Sequence, residues 1–156
     1  MKKLVLAAFL GNALMFSPLV SASGIANVED IISYKVGNEF FERNLDCGVF
    51  YDFLSMAAVQ NQMADQAGAF KEVSSNYINT AAQLSIGFDL DHSDKELQAK
   101  AAELHLSYMK RATSNAAEFS SVYVPEKLSA CNNLRRNLDQ EIERSKNRYR
   151  NELYPN

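Results

Sequence analysis

The pattern of apolar and polar positions predicts helices along almost the whole chain. Apolar residues recur three or four positions apart in successive segments, and no segment keeps a strict two-residue alternation. A first helix is predicted to start at Asn27, and Gly37-Asn38 is expected to end or kink it. A second is predicted from Asp46 to about Gln66 with one narrow apolar stripe. That stripe contains Cys47, Phe50, Tyr51, Leu54 and Ala58.

Three further helical segments follow. Gly68 indicates a turn, or a glycine inside one long helix, before a third helix that runs to Gly87. Ser93 and Glu96 have the spacing of a capping box, which predicts the start of a fourth helix there. Residues 122–124 are predicted to form a short extended linker, and Pro125 suits the first turn of the last helix.

The fold class predicted from this pattern is all-α, an antiparallel bundle of four to five helices closed by one disulfide. The hydrophobic content of 47% supports a packed core rather than a disordered chain. Residues 23–156 are long enough for one domain with one core, and we predict a single helical-bundle domain over that range.

Residues 1–22 have the layout of a secretory signal peptide. Lys2 and Lys3 precede an apolar run from Leu4 to Phe16, and Val20-Ser21-Ala22 suits a cleavage site. The run has about thirteen residues, whereas a membrane span needs about twenty. We therefore expect an exported protein without a membrane anchor, located in a bacterial periplasm.

The chain has two cysteines, Cys47 and Cys131. An even count in an exported chain predicts a disulfide, here closing a loop of about 85 residues. A pair of free thiols is the alternative. Catalytic redox chemistry is not expected, because the chain has no Cys-x-x-Cys motif.

The charge balance argues against a nucleic-acid partner. The chain carries 16 basic and 19 acidic residues, a net charge of −3. Lys2 and Lys3 belong to the predicted signal segment, so the mature domain is more acidic still. A mildly acidic domain is a poor match for nucleic acid or an anionic membrane.

No residue pattern indicates catalysis, so we expect no enzyme, no catalytic residues, no metal and no obligatory cofactor. The motifs of serine hydrolases, zinc proteases and phosphate-binding loops are absent from the sequence. His92 lies in an acidic loop, residues 89–94, that lacks the order of a calcium-binding loop. His105 falls on an apolar helix face and is a candidate ligand contact. A haem would then need Met56, Met63 or Met109 as its second ligand.

Phe40 and Phe41 are the predicted partner surface. Adjacent helical residues point about 100° apart, so the two rings cannot both face one core from a single helix. We therefore expect one of them to be exposed, or this segment not to be helical. Exposed aromatic side chains are common in protein-binding surfaces.

The arrangement resembles a broad class of small exported helical proteins of proteobacteria with one cysteine pair. The resemblance rests on the segment 46–51, where a cysteine is followed by aromatic residues, on the capped helix at 93–119, and on Tyr123 with the segment 131–134. It is also similar to periplasmic immunity and inhibitor proteins, and distantly to acid-activated periplasmic chaperones. The resemblance implies a disulfide-closed helical build and no catalytic residues.

Three functions remain open on the sequence. The first is a non-catalytic binding module, such as an inhibitor, immunity or accessory protein with a protein partner. The second is an acid-stress chaperone of the periplasm, which would expose apolar surface when its carboxylates protonate. The third is a carrier of a small ligand such as haem. Self-association into a homo-oligomer is compatible with each.

Overall fold

The computed structural model describes residues 27–155, and all of its regular secondary structure is helical. Four long helices are α1 (Val28–Gln60), α2 (Ala64–Gly87), α3 (Asp94–Ser114) and α5 (Val124–Leu153). Between α3 and α5 the chain forms a single turn, α4 (Ala116–Glu118), and a π-helical turn (Phe119–Tyr123). The all-α prediction is confirmed over this range. The predicted signal peptide, residues 1–22, lies outside the described residues.

Helix α1 lies at the centre of the bundle. Five consecutive residues, 47–51, are buried, although a helix completes one turn in 3.6 residues. Side chains on every side of α1 are therefore covered, and α2, α3 and α5 pack around it. An apolar distribution over the whole circumference is typical of a helix that is buried all round.

The long helices alternate in direction along the chain. α2 runs back along α1, since Ser55 of α1 donates a hydrogen bond to the Ala67 carbonyl just beyond the connecting turn. α5 also runs antiparallel to α1, because its start lies beside Cys47 and its end beside Glu29. α3 runs parallel to α1.

Two predicted helix boundaries are wrong, because α1 is continuous through both. Gly37 lies inside α1 and is buried. A Cβ atom at Gly37 would lie 2.5 Å from the Phe88 Cβ, so this glycine permits the close approach of the segment after α2. Asp46 is an interior residue of α1 rather than an N-cap. The chain turns instead at residues 61–63, where Gln62 has a φ of 61°.

The predicted extended linker at residues 122–124 is also wrong. The backbone N–H of Val124 donates to the carbonyl of Phe119, five residues earlier, which makes this turn π-helical. The capping box is confirmed: Ser93 N–H donates to the Glu96 carboxylate at 3.0 Å, and Glu96 N–H donates to the Ser93 hydroxyl at 3.3 Å. Helix α5 has a kink at Asn137, where φ is −124°.

Candidate functional site

The predicted disulfide is confirmed. Cys47 of α1 and Cys131 of α5 are joined by an S–S bond of 2.03 Å, with their Cα atoms 5.7 Å apart. Both cysteines are buried, and the Tyr77 hydroxyl of α2 donates a 2.5 Å hydrogen bond to the Cys131 carbonyl. Burial raises the pKa of Tyr77 to about 12. Three helices therefore meet at the bridge, which has a structural role in this arrangement.

The predicted exposure of Phe40 or Phe41 is wrong. The two side chains are 0% and 1% exposed in one continuous helix. The prediction assumed that α1 faces a single core on one side. Because α1 is central, adjacent residues are covered on different sides: Phe41 stacks on the His92 ring at 4.3 Å, and Phe40 is buried in the core with the Arg43 guanidinium of α1 itself over its ring at 4.8 Å. Neither ring is available to a partner in this state.

The two histidines occupy different environments. His105 is half-buried, with its ring 5.8 Å from that of Phe53 in an edge contact. His92 is held by Phe41 and by a 3.1 Å hydrogen bond with the Asn38 side chain. Over residues 27–155 there is no group of three or more histidine, cysteine or acidic side chains placed to hold a metal ion. Met56, Met63 and Met109 are all exposed.

A cavity of about 540 Å³ lies where α3 ends and the π-helical turn leads into α5. We call it the junction groove. Its apolar part is formed by Phe119, Val122 and Tyr123 of the π-helical turn. Its polar lining comes from α3, α4, α5 and the residue between α3 and α4, and consists of Ser107, Lys110, Arg111, Ser114, Asn115, Glu118 and Glu126.

Local backbone geometry places these side chains. The Asn115 side chain caps α4 by accepting a 3.2 Å hydrogen bond from Glu118 N–H, so the chain turns sharply after α3. The widened turn that follows stacks Phe119 on Tyr123 with ring centroids 5.4 Å apart. π-helical turns occur frequently at functional sites, where the added residue displaces side chains from regular helical positions.

The walls of the junction groove carry opposite charges. Lys110 and Arg111 lie on the α3 side, whereas Glu118 and Glu126 lie on the α4 and α5 side. The Arg111 guanidinium packs over the Tyr123 ring at 4.7 Å. Among residues 27–155 neither Lys110 nor Arg111 forms an ion pair. Both charges are therefore free to meet a ligand group.

Partly buried polar contacts lie next to the groove, behind the Tyr123 ring. Tyr108 of α3 donates a hydrogen bond to the Asp46 carboxylate of α1, which also pairs with Lys127 of α5. Burial and the Asp46 carboxylate raise the pKa of Tyr108, so its hydroxyl stays protonated. The Tyr108 ring contacts Tyr123, with centroids 6.2 Å apart. This cluster ties α3 and α5 to α1 and fixes the position of the Tyr123 ring.

A second cavity, of about 500 Å³, lies between α1 and α3. Leu45 and Leu104 line it, and its cations are already paired: Lys100 binds Glu42 at 2.6 Å and Arg43 binds Glu141 at 3.1 Å. The junction groove is the stronger candidate because its cations are not neutralised within the described part of the chain.

Sequence reasoning missed this site. Tyr123 is one of several aromatic residues near predicted helix ends, but the segment around it was predicted to be extended. A π-helical turn has no sequence signature comparable to a capping box. The nearest available signal was Arg111, the one basic residue in the last turn of α3.

Comparisons with family models, curated proteins and solved structures give no match to this chain. Within residues 27–155, none of the helices combines the length and apolar character needed to cross a membrane.

Proposed function

We propose that this protein is an exported, non-catalytic binding module of the periplasm that recognises a protein partner through the junction groove. The observation that carries the proposal is the combination of Arg111 and Tyr123 with a half-exposed apolar residue, Val122, inside a polar rim. Arginine and tyrosine are enriched among residues that dominate binding energy, and an apolar centre within a polar rim is the usual anatomy of an interface.

The charges of the groove suggest the chemistry of the partner segment. A carboxylate of the partner fits beside Lys110 and Arg111, and a basic group fits beside Glu118 and Glu126. An apolar side chain between them would cover Val122. Such complementary charges act mainly on association rate and orientation, whereas the covered apolar and aromatic contacts supply affinity.

Site-specific photo-crosslinking in the native host tests this proposal. A photo-reactive residue at Val122 is expected to capture one protein, and Arg111→Glu is expected to abolish that capture. The matched control is Leu106, which is 64% exposed on α3 and does not line the groove. Equal capture from positions 122 and 106, or no capture from either, would contradict the proposal.

Export is tested separately. We expect the protein in the periplasmic fraction with a mature N-terminus near Ser23, measured by intact mass. A cytoplasmic protein that retains residues 1–22 would contradict it.

A specific observation favours the acid-stress chaperone as the second candidate. Ion pairs join α1 to α5 along much of their contact: Asp46–Lys127, Arg43–Glu141, Glu39–Arg148 and Glu29–Arg150. The pKa values of Glu39 and Glu29 are lowered in the folded protein, so protonation of these two carboxylates would weaken the attachment of α5 and expose the apolar side of α1. If the protein is such a chaperone, it should bind a hydrophobic dye and suppress the aggregation of a client protein only under acidic conditions. Aggregation that continues unchanged at acidic pH would exclude it.

A further inference from the structure

Helix α5 consists of two halves that meet at Asn137. The backbone of Asn137 has φ −124° and ψ 20°, which are not helical values, although the helix continues on either side. The Asn137 side chain donates a 3.3 Å hydrogen bond to the Asn133 carbonyl, which in a regular helix accepts from the Asn137 backbone N–H. A side chain inserted into this ladder is a known cause of a sharp kink. We call residues 124–136 the anchored half and residues 138–153 the strap.

The anchored half is attached to the bundle by burial and by a covalent bond. Cys131 and Leu134 are 0% and 2% exposed, and Cys131 is bonded to Cys47 of α1. The Cys131 carbonyl also accepts a hydrogen bond from Tyr77 of α2. Because buried apolar area and a covalent link both oppose separation, local detachment of this half is costly.

The strap is attached by different chemistry. None of its apolar side chains is fully buried: Leu138, Ile142 and Tyr149 are half-buried, and Leu153 is exposed. Its one buried residue is Ser145, which donates a 2.6 Å hydrogen bond to the Glu39 carboxylate of α1. The centre of the contact between the strap and α1 is therefore polar, and the apolar burial that stabilises the anchored half is largely missing.

Ion pairs with α1 supply much of the remaining attachment of the strap. Arg148 binds Glu39 at 2.5 Å, and Arg150 binds Glu29 at 2.9 Å. The two arginine side chains are 51% and 43% exposed. Exposed pairs of this kind contribute little free energy each, and salt screens them. The strap is thus held weakly by contacts that depend on ionic strength.

We propose that the strap opens as a unit about Asn137 while the anchored half stays in place. Two carboxylates that bind the strap, Glu29 and Glu39, lie ten positions apart on one face of α1. Ile32 and Val36 fall between them on the same face, at helical spacings of three and four residues. Both side chains are at most 1% exposed in the closed protein, so opening exposes an apolar stripe of α1 to solvent. This opening needs no protonation, and sodium chloride favours it.

Hydrogen exchange of the oxidised protein at neutral pH, resolved by residue, tests the proposal. Amides of residues 141–150 should share one level of protection, lower than that of the anchored half, because they open together. Sodium chloride should lower protection of the strap relative to the anchored half. Fraying from the end of the helix would instead give protection that falls steadily toward residue 153. Such a gradient, or equal protection of the two halves, would overturn the proposal.

A matched pair of variants tests what holds the strap. Arg148→Gln removes a pair with α1 and should lower protection of the strap by about two- to fivefold, with the anchored half unchanged. The control is Arg144→Gln, since Arg144 pairs with Glu141 inside the strap itself. It should change protection of the strap less than Arg148→Gln does. Equal effects of the two variants would mean that pairing with α1 does not hold the strap closed.

The hinge is tested by Asn137→Ala. Alanine removes the inserted side chain and favours regular helix, so this variant should raise the protection of the strap. Protection that stays unchanged or falls would exclude Asn137 as the hinge. Of the residues that line the junction groove, the one from α5 is Glu126, in the anchored half. The result is therefore independent of the proposed function.

Discussion

Helices α2 and α5 both pack on α1, but different chemistry attaches them. The α2 contact depends on close approach: a Cβ at Gly48 would lie 2.7 Å from an Ile78 side-chain carbon and 3.4 Å from the Ser74 carbonyl oxygen. The α5 contact uses the disulfide and ion pairs, among them Glu39–Arg148 at 2.5 Å.

Chain connectivity explains the difference. α2 follows α1 after a three-residue turn, residues 61–63, so little entropy is lost when the two pair. Cys47 and Cys131 are 84 positions apart, and the bridge reduces the entropy of the unfolded chain for that distant contact. The local hairpin depends mainly on packing, with the Lys71–Asp52 ion pair beside it, whereas the distant helix benefits from a covalent anchor and from several directional charges.

Removal of the disulfide is the largest expected effect. Cys47→Ala with Cys131→Ala should lower the free energy of unfolding by roughly 4 kcal/mol, because a loop of this length gains that much freedom when opened. Chemical denaturation of the oxidised wild type and the double variant measures it. Hydrogen exchange should show the greater loss of protection in α5. Equal loss in α2 and α5 would contradict the contrast between the two helices.

Alanine substitutions at two glycines test whether close packing against α1 stabilises the fold, because they are expected to change the free energy of unfolding in opposite directions. Gly37→Ala should lower the free energy of unfolding by about 1–3 kcal/mol, since its Cβ would overlap Phe88 at 2.5 Å. Gly68→Ala is the control, because no atom lies within 4 Å of its Cβ position in α2. It should raise the free energy of unfolding by about 0.5–1 kcal/mol through helix propensity. The two melting temperatures should move in opposite directions.

The sequence alone was sufficient to predict those features of the fold that have a signal in residue spacing or composition. The helical class, the Ser93 capping box and the cysteine pair followed from spacing and composition, and each is confirmed. The central position of α1 was missed because its length was divided into two predicted helices, each with a single apolar face. Phe41, Leu45 and Val49 lie off the stripe from Cys47 to Ala58 and are also buried, and their presence was the available signal that the helix is covered on several sides.

The junction groove could not be predicted in the same way. It depends on where α3 stops, on the π-helical turn and on the return of α5 beside Tyr123. The π-helical turn and the return of α5 are tertiary outcomes that no local spacing encodes, whereas Asn115 and Glu118 have the spacing of an N-cap and N3 pair and do mark the turn after α3. The Asp46–Tyr108–Lys127 cluster likewise joins residues from three helices that are far apart in the sequence.

Acidification is expected to act on the α5 contact through Glu39, with a smaller effect. Burial tends to raise the pKa of Glu39, but hydrogen bonds from Ser145 and Arg148 and the charge of Arg148 outweigh it, so the pKa is lowered from 4.5. A carboxyl group whose pKa is lower in the folded state contributes stability above its unfolded value of 4.5, and that stability is lost as pH falls through the folded value. Glu39→Gln should therefore cost about 1 kcal/mol at neutral pH.

The matched comparison is Glu29→Gln, which removes a fully exposed carboxylate that also binds an arginine of α5, Arg150. Solvent screens that pair, so its removal should change the free energy of unfolding less than Glu39→Gln does. Denaturation from neutral pH to below pH 4.5 should show the gap between Glu39→Gln and wild type closing as the pH falls. A gap that stays constant would mean that Glu39 holds α5 by packing rather than by charge, and the contrast with α2 would then depend on the disulfide and on the other ion pairs between α1 and α5.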